Sequence, residues 1–326
     1  MQTINIGITG TGSLIGQAII KSIKKSDIVN QVKIIGFDYF DNTIGGFWCQ
    51  KNIVLPDILK KENKEQWKKT IFKTIIDEKI TILFIGIDFE LLLFSQFKSE
   101  IEETTGCKVV VSNERVISIG NDKYLTYKFL KDNGLNFPKT WLQTEIDKVE
   151  IKYPCILKPR VGARSKGVYV IKNKDELQEK IKSIEEPIVQ ELVGNIDSEY
   201  TCGILCLDNK IISTIVLKRY LKEGNTSIAE YKNSYNDKIY NYINKIAMNL
   251  MPNGSCNLQL RCDTKGEPYV FEINPRFSGT TYMRALFGFK EVEYIIKYLQ
   301  KMEPRDFVLS EGKAYRYFEE KLMGEE

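Results

Sequence analysis

Four short runs in the first third of the chain, residues 4–9, 32–37, 80–85 and 108–111, are almost continuously apolar. Strands of that kind are buried on both faces, so each needs a covering layer above and below. The intervening stretches near residues 13–25, 65–78 and 89–104 have the apolar spacing of amphipathic helices. Strand–helix alternation supplies those two layers only when the strands run parallel. Residues 1–112 are therefore expected to form an α/β unit, a parallel, doubly wound sheet.

A second region starts at residue 113 and changes rhythm toward α+β. Asp122 is placed to cap a helix over 123–133 that stops at Gly134. Strands are expected at 155–158 and 168–171, on either side of a loop at 159–166. A helix follows near 175–184, and another strand ends in Gln190-Glu191-Leu192. Two strands meeting at Asp208-Asn209, a helix over 235–250, a hairpin over 255–273 and helices near 281–287 and 291–300 complete the pattern. The charged tail after Ser310 carries no functional signal.

Composition narrows the chemistry. The sequence contains no histidine, which excludes Ser-His-Asp and Cys-His catalysis and imidazole metal ligands. Any metal must be held by oxygen, which favours magnesium, manganese or calcium. The net charge of +4 over 326 residues comes from scattered lysines such as Lys24-Lys25 and Lys60-Lys61. That is a solvated surface, and no nucleic-acid partner is expected. The seven cysteines include no C-x-x-C pair. Cys202 and Cys206 read as buried free thiols, with a metal or redox pair as the alternative. Residues 4–9 are too short for a secretory signal, and no apolar run approaches the ~20 residues that span a bilayer. No membrane partner is expected, and the expected location is cytoplasmic.

Three stretches carry chemistry. With Lys265-Gly266 as a turn, Gln259 falls opposite Glu272 and Asn257 opposite Asn274, so four polar side chains share one face of an apolar hairpin. That face is either a solvated edge or an oxygen-ligand metal site; a buried charge there would require a partner. Lys158 closes an apolar strand and opens a loop with Arg160, Gly162, Arg164, Lys166 and Gly167. Such a loop is either a basic hairpin turn or a backbone cradle for an anion. The turn with Gly10, Gly12 and Ser13 follows the first strand and opens a helix, while Asp38 ends the next strand. It is compatible with a dinucleotide fingerprint or with an anion-binding helix end.

Taken together and in order, several motifs resemble one family. They are Asn121-Asp122-Lys123, the strand and loop at 156–167, Gln190-Glu191 followed by Glu199, and Asn257-x-Gln259 followed by Glu272-Ile273-Asn274-Pro275-Arg276. The sequence resembles the ATP-grasp superfamily, especially the synthetase domains of the carbamoyl phosphate synthase large subunit and PylC-like carboxylate–amine ligases. The resemblance implies a Rossmann-like domain over 1–112 and an ATP-grasp fold over 113–326, with a lid over about 126–187 and a metal-binding subdomain over about 188–326. It implies ATP with magnesium or manganese as cofactors. Lys123, Lys158, Arg160, Gly162, Ser165, Lys166 and Gly167 would surround the phosphates. Gln190, Glu191, Leu192 and Val193 would line the adenine slot, and Glu199 would accept from the ribose hydroxyls. Gln259, Glu272 and Asn274 would hold the metal, and Arg276, Arg219 and Lys158 would act in catalysis. Gly10, Gly12, Ser13, Ser278, Gly279 and Arg284 are candidates for holding substrate.

Two positions depart from the family pattern. Gln259 stands where many members have an acid, and residues 194–198 stretch the gap before Glu199. The implied reaction joins a small-molecule carboxylate to an amine through an acyl phosphate, releasing ADP and phosphate, with a homodimer as the candidate assembly. The alternatives are a carbamoyl or other small phosphate made without amide formation, a nicotinamide-dependent oxidoreductase using the Gly10 turn, and a binding module without catalysis.

Overall fold

The computed structural model describes residues 3–162, 166–235 and 237–322. The parallel sheet forms as expected, from β1 (Ile4–Thr9), β2 (Val32–Asp38), β3 (Lys51–Val54), β4 (Ile82–Phe84) and β5 (Lys108–Val110), in the order β3-β2-β1-β4-β5. β3 escapes a reading based on burial because it is a short edge strand with two exposed ends. Its helices are α1 (Leu14–Lys24), the single turn α2 (Ile44–Phe47), α3 (Lys64–Asp77) and α4 (Leu91–Thr105). Ser13 caps α1, its Oγ accepting from the amides of Ile15 and Gly16. α1 can press against the end of β1 because residue 16 is glycine: a Cβ there would lie 2.1 Å from the Gly10 carbonyl oxygen.

Two short helices, α5 (Glu114–Asn121) and α6 (Lys123–Asp132), lead to a small antiparallel sheet. It contains β6 (Thr140–Leu142), β7 (Cys155–Pro159), β8 (Tyr169–Ile171) and β9 (Pro187–Glu191), in the order β6-β9-β7-β8, with α7 (Lys174–Lys180) alongside. A six-stranded antiparallel sheet follows. Its strands are β10 (Glu199–Leu207), β11 (Lys210–Lys222), β12 (Asn225–Tyr231), β13 (Gly254–Cys262), β14 (Pro268–Asn274) and β15 (Gly312–Tyr315), in the order β14-β13-β10-β11-β12-β15. Asp208 and Asn209 both have positive φ, as the tight β10–β11 turn requires. Helix α8 (Asp237–Leu250) covers one face, and α9 (Thr281–Leu286) and α10 (Glu291–Leu299) lie on the other.

Packing divides the chain differently from the sequence reading. Ile6, Ile8 and Phe84 of the parallel sheet share a single apolar core with Leu205 and Ile215 of the large sheet, bridged by α1, α9 and α10. The lid expected from about residue 126 would begin inside α6, yet Phe129 and Leu130 of that helix pack under the large sheet with α8. The apolar cluster between the small sheet and α7 has five buried residues among the described ones, Cys155, Leu157, Ile171, Leu177 and Val189. At roughly 1.5–3 kcal/mol per buried side chain that core is the weakest of the chain.

Candidate active site between the two antiparallel sheets

The small sheet faces the large one across a cleft of about 900 Å³. Lys158 ends β7 inside it, buried, with its Nζ donating to Gln190 Oε1 at 2.7 Å; Gln190 Nε2 in turn donates to Thr140 Oγ1 at 2.9 Å. Lys123, at the start of α6, sends its Nζ to the Gly162 carbonyl at 2.9 Å. Burial lowers the pKa of both ammonium groups. For Lys158 the value falls to about 7, with burial the main cause, Lys123 adding to it and Glu272 opposing it. Two lysines held together without a full complement of acid favour an anion between them.

The hairpin carrying the opposite wall does what the sequence predicts by a different route. The turn spans Asp263 to Glu267, and the pairs Arg261–Tyr269 and Leu260–Val270 run one residue out of the predicted register. A bulge at Phe271 then restores the expected pairs, Gln259 opposite Glu272 and Asn257 opposite Asn274. The bulge also turns consecutive residues, Phe271 and Glu272, toward the same cleft. Phe271 supplies an aromatic surface 5.8 Å from the Lys158 ammonium and 5.9 Å from the Arg261 guanidinium. Ile156, Val168, Tyr269 and Phe271 give the cleft an apolar flank beside Leu192 and Val193.

Among the described residues no group of three or more His, Cys, Asp or Glu side chains could cage a metal. The chemistry of the donors nevertheless fits magnesium, which needs one or two carboxylates when phosphate oxygens and water complete its shell. Glu272 is the carboxylate, accepting from Asn274 Nδ2 at 3.2 Å, and the Gln259 amide is its cross-strand neighbour. Asn274 joins Glu272 to Arg276, whose Nη2 donates to Asn274 Oδ1 at 2.9 Å while its Nε reaches Asp88 of the parallel-sheet unit. Asn257 does not complete this group. Its Oδ1 accepts from Thr201 and Arg284, both at 2.9 Å, in a buried network.

Four sequence assignments change. Glu199 is buried, and both its oxygens are taken: Arg219 donates twice to Oε1 and Arg261 twice to Oε2. A carboxylate has about four acceptor positions, so none is left for ribose hydroxyls in this arrangement. Arg160 lies away from the cleft, paired with Asp122 at 2.7 Å, and anchors the loop to the start of α6. Arg284 is fully buried against Glu291, and Gly203 leaves the space its side chain occupies. It cannot meet a substrate. Gly10 and Gly12 line neither large cleft, although Ser13 does. Asp38 accepts from Thr11 Oγ1 and the Gly12 amide, and α2 lies so close that a Cβ on Gly45 would be 1.9 Å from the Thr11 carbonyl oxygen. That covering leaves a dinucleotide no approach. Lys166 does line the first cleft, Gly167 adjoins it, and Ser165 lies outside the described residues.

A second cleft of about 930 Å³ continues from the first. Arg219, Gln259 and Glu272 line both. Arg276, Ser278 and Gly279 line the second, joined by two groups sequence reasoning missed: the β11–β12 turn at Gly224 and Asn225, and Arg316. Arg316 follows β15 in the tail that read as silent. Cys202 and Cys206 are buried free thiols, so that reading stands.

The fold and site define an α/β protein whose two antiparallel sheets border a lysine-lined cleft. A family model described as an ATP-grasp domain matches residues 120–280, so that stretch is similar to the ATP-grasp superfamily. A D-alanine–D-alanine ligase of Petrotoga mobilis is 29% identical over 189 residues, covering 53% of this chain and 62% of that ligase. The chain thus spans less than two thirds of that relative's length. The large chain of carbamoyl phosphate synthase from Campylobacter jejuni is 24% identical over 194 residues, covering 54% of this chain and 18% of that protein. In fold, the ADP complex of the N5-carboxyaminoimidazole ribonucleotide synthetase purK superposes with a TM-score of 0.76 at 15% identity, covering 95% of this chain and 80% of that one. No helix of the described residues is long and apolar enough to cross a membrane.

The Lys158 environment gives a testable consequence. Burial shifts Lys158 toward the neutral amine in the free protein, with a pKa of about 7, whereas a bound polyphosphate would favour the ammonium form. Binding of a non-hydrolysable ATP analogue at pH 8 is therefore expected to take up protons, and affinity to weaken as pH rises from 6 to 9. Calorimetry in buffers of different ionisation enthalpy measures the uptake. Zero uptake at pH 8 would place Lys158 outside the phosphate site.

Proposed function

We propose that the protein is an ATP-dependent carboxylate–amine ligase working through an acyl phosphate. One observation carries this reading: the cleft suited to a triphosphate opens directly into a second, arginine-lined cleft, and Arg219, Gln259 and Glu272 stand at the junction. A reacting carboxylate held there meets the end of the triphosphate chain.

In the first step a carboxylate oxygen bonds to the γ-phosphorus, the bond to the β,γ-bridging oxygen breaks, and ADP leaves. In the second an amine nitrogen bonds to the acyl carbon, the carbon–oxygen bond to phosphate breaks, and the amine proton passes to solvent. Lys123 and Lys158 hold the phosphate chain, while Arg219 and Arg276 face the charge that moves between the clefts. Magnesium, held by Glu272 with Gln259 and Asn274 as amide neighbours, would supply charge neutralisation on the triphosphate. The small sheet acts as the cover that keeps water from the acyl phosphate.

The test is a screen of amino acids and amines in pairs, with mass spectrometry of every product. ADP and phosphate are expected in equal amounts with an amide. AMP and pyrophosphate would replace the acyl phosphate with an adenylate. A stable phosphorylated product that forms without an amine would end the reaction at phosphoryl transfer.

A further inference from the structure

The tail after residue 310 returns to the large sheet as β15, an edge strand paired antiparallel to β12. Immediately beyond it, the Arg316 amide donates to the Ser227 carbonyl at 2.8 Å, fixing the backbone. The side chain enters the second cleft, where Nη2 donates to the Gly279 carbonyl at 2.6 Å. The cleft has three guanidinium groups. Arg219 is paired with Glu199 and Arg276 with Asp88, whereas no carboxylate among the described residues pairs with Arg316. Half-buried, it is desolvated with no nearby acid to offset the cost. A partly buried cation in that position favours an anion from outside the described residues.

We infer that Arg316 binds a carboxylate of the second-cleft substrate that takes no part in the reaction, so that this substrate is an amino acid or another carboxylate-bearing amine. The inference rests on the ligase reading above and adds the class of acceptor. Its position supports a non-reacting group: Arg219, Gln259 and Glu272 line both clefts, while Arg316 lines only the second, beside Leu14 and Gly279. One uncompensated positive charge matches one carboxylate better than a phosphate dianion. A planar guanidinium whose N–H groups, among the described residues, give one side-chain bond to Gly279 also suits a carboxylate's two oxygens. Arg316 is thus a specificity residue supplied by the C-terminal strand.

The test uses the full chain with a non-hydrolysable ATP analogue and magnesium. Thermal shift and calorimetry compare the twenty standard amino acids, D-alanine and D-glutamate with their carboxamides, with inorganic phosphate as a separate arm. The wild type is expected to bind one or more of these amino acids and to lose about tenfold or more in affinity when the carboxylate becomes an amide. Arg316→Gln should erase that preference while keeping the stabilisation by nucleotide, and Arg316→Lys should recover part of it. A carboxylate preference undiminished in Arg316→Gln would overturn the assignment. So would a wild type that binds nucleotide but none of the amino acids, or that prefers inorganic phosphate. Absence of any nucleotide effect in the wild type would instead overturn the ligase reading beneath it. The melting temperature of each variant without ligand separates misfolding from lost recognition.

Discussion

Glu272→Gln is expected to yield a folded protein with ADP formation reduced by about a hundredfold or more. The substitution keeps the shape and one acceptor for Asn274 Nδ2, but removes the negative charge that acts on both Lys123 and Lys158 from the junction of the clefts. Charge stabilisation in phosphoryl transfer is worth on the order of 3 kcal/mol, which is the hundredfold. Folding should survive because Glu272 is half-buried, and its one hydrogen bond is with a neutral amide that Gln can still satisfy. The measurement is steady-state ADP release across a magnesium titration, with circular dichroism to confirm the fold. A near-wild-type rate with unchanged magnesium dependence would reduce the hairpin to a solvated face.

Glu199→Ala is expected to act on stability. The carboxylate is buried between Arg219 and Arg261, and its removal leaves two guanidinium groups facing each other in a partly buried site. Breaking a buried ion pair by deleting one partner costs about 3–5 kcal/mol. Chemical denaturation of wild type and variant reads the difference directly. A loss below about 1 kcal/mol, the level of an exposed ion pair, together with a raised Michaelis constant for ATP alone, would return Glu199 to the role of ribose acceptor. The clamp also ties Arg219 to the strand bordering the first cleft, so one structural carboxylate orients a side chain that serves both clefts.

What the sequence made legible was whatever depends on near neighbours in the chain. The facing of Gln259 and Glu272 follows from strand alternation in a hairpin, and it survived a turn of a different length because the Phe271 bulge compensates by one residue. The bulge itself has no local signature, so Phe271 was missed as a wall of the cleft. The arginines misassigned or overlooked in the sequence share a reason: their surroundings are brought in by the fold. Arg160 belongs to a basic loop that reads as phosphate-binding until Asp122, thirty-eight residues earlier, is seen to take it. Arg261 carries no sequence assignment, and only the pairing of β10 with β13 places Glu199 beside it. Arg316 lies in a charged tail with weak apolar patterning, and only the pairing of β15 with β12 brings it to a cleft.

The apolar core common to the parallel and six-stranded sheets carries a thermodynamic consequence. Because Ile6 and Phe84 bury against the same cluster as Leu205 and Phe277, this shared interior closes only when both sheets are present, although each sheet has a second cluster of its own. The two should melt as one cooperative unit in a single heat-absorption peak, despite the change of architecture near residue 112. The five-residue interior of the small sheet is separate from that cluster, so it can lose protection first and reclose without disturbing the rest. The chain would then behave calorimetrically as one large block with a loosely attached cover, and nucleotide would raise the melting of the cover more than that of the block.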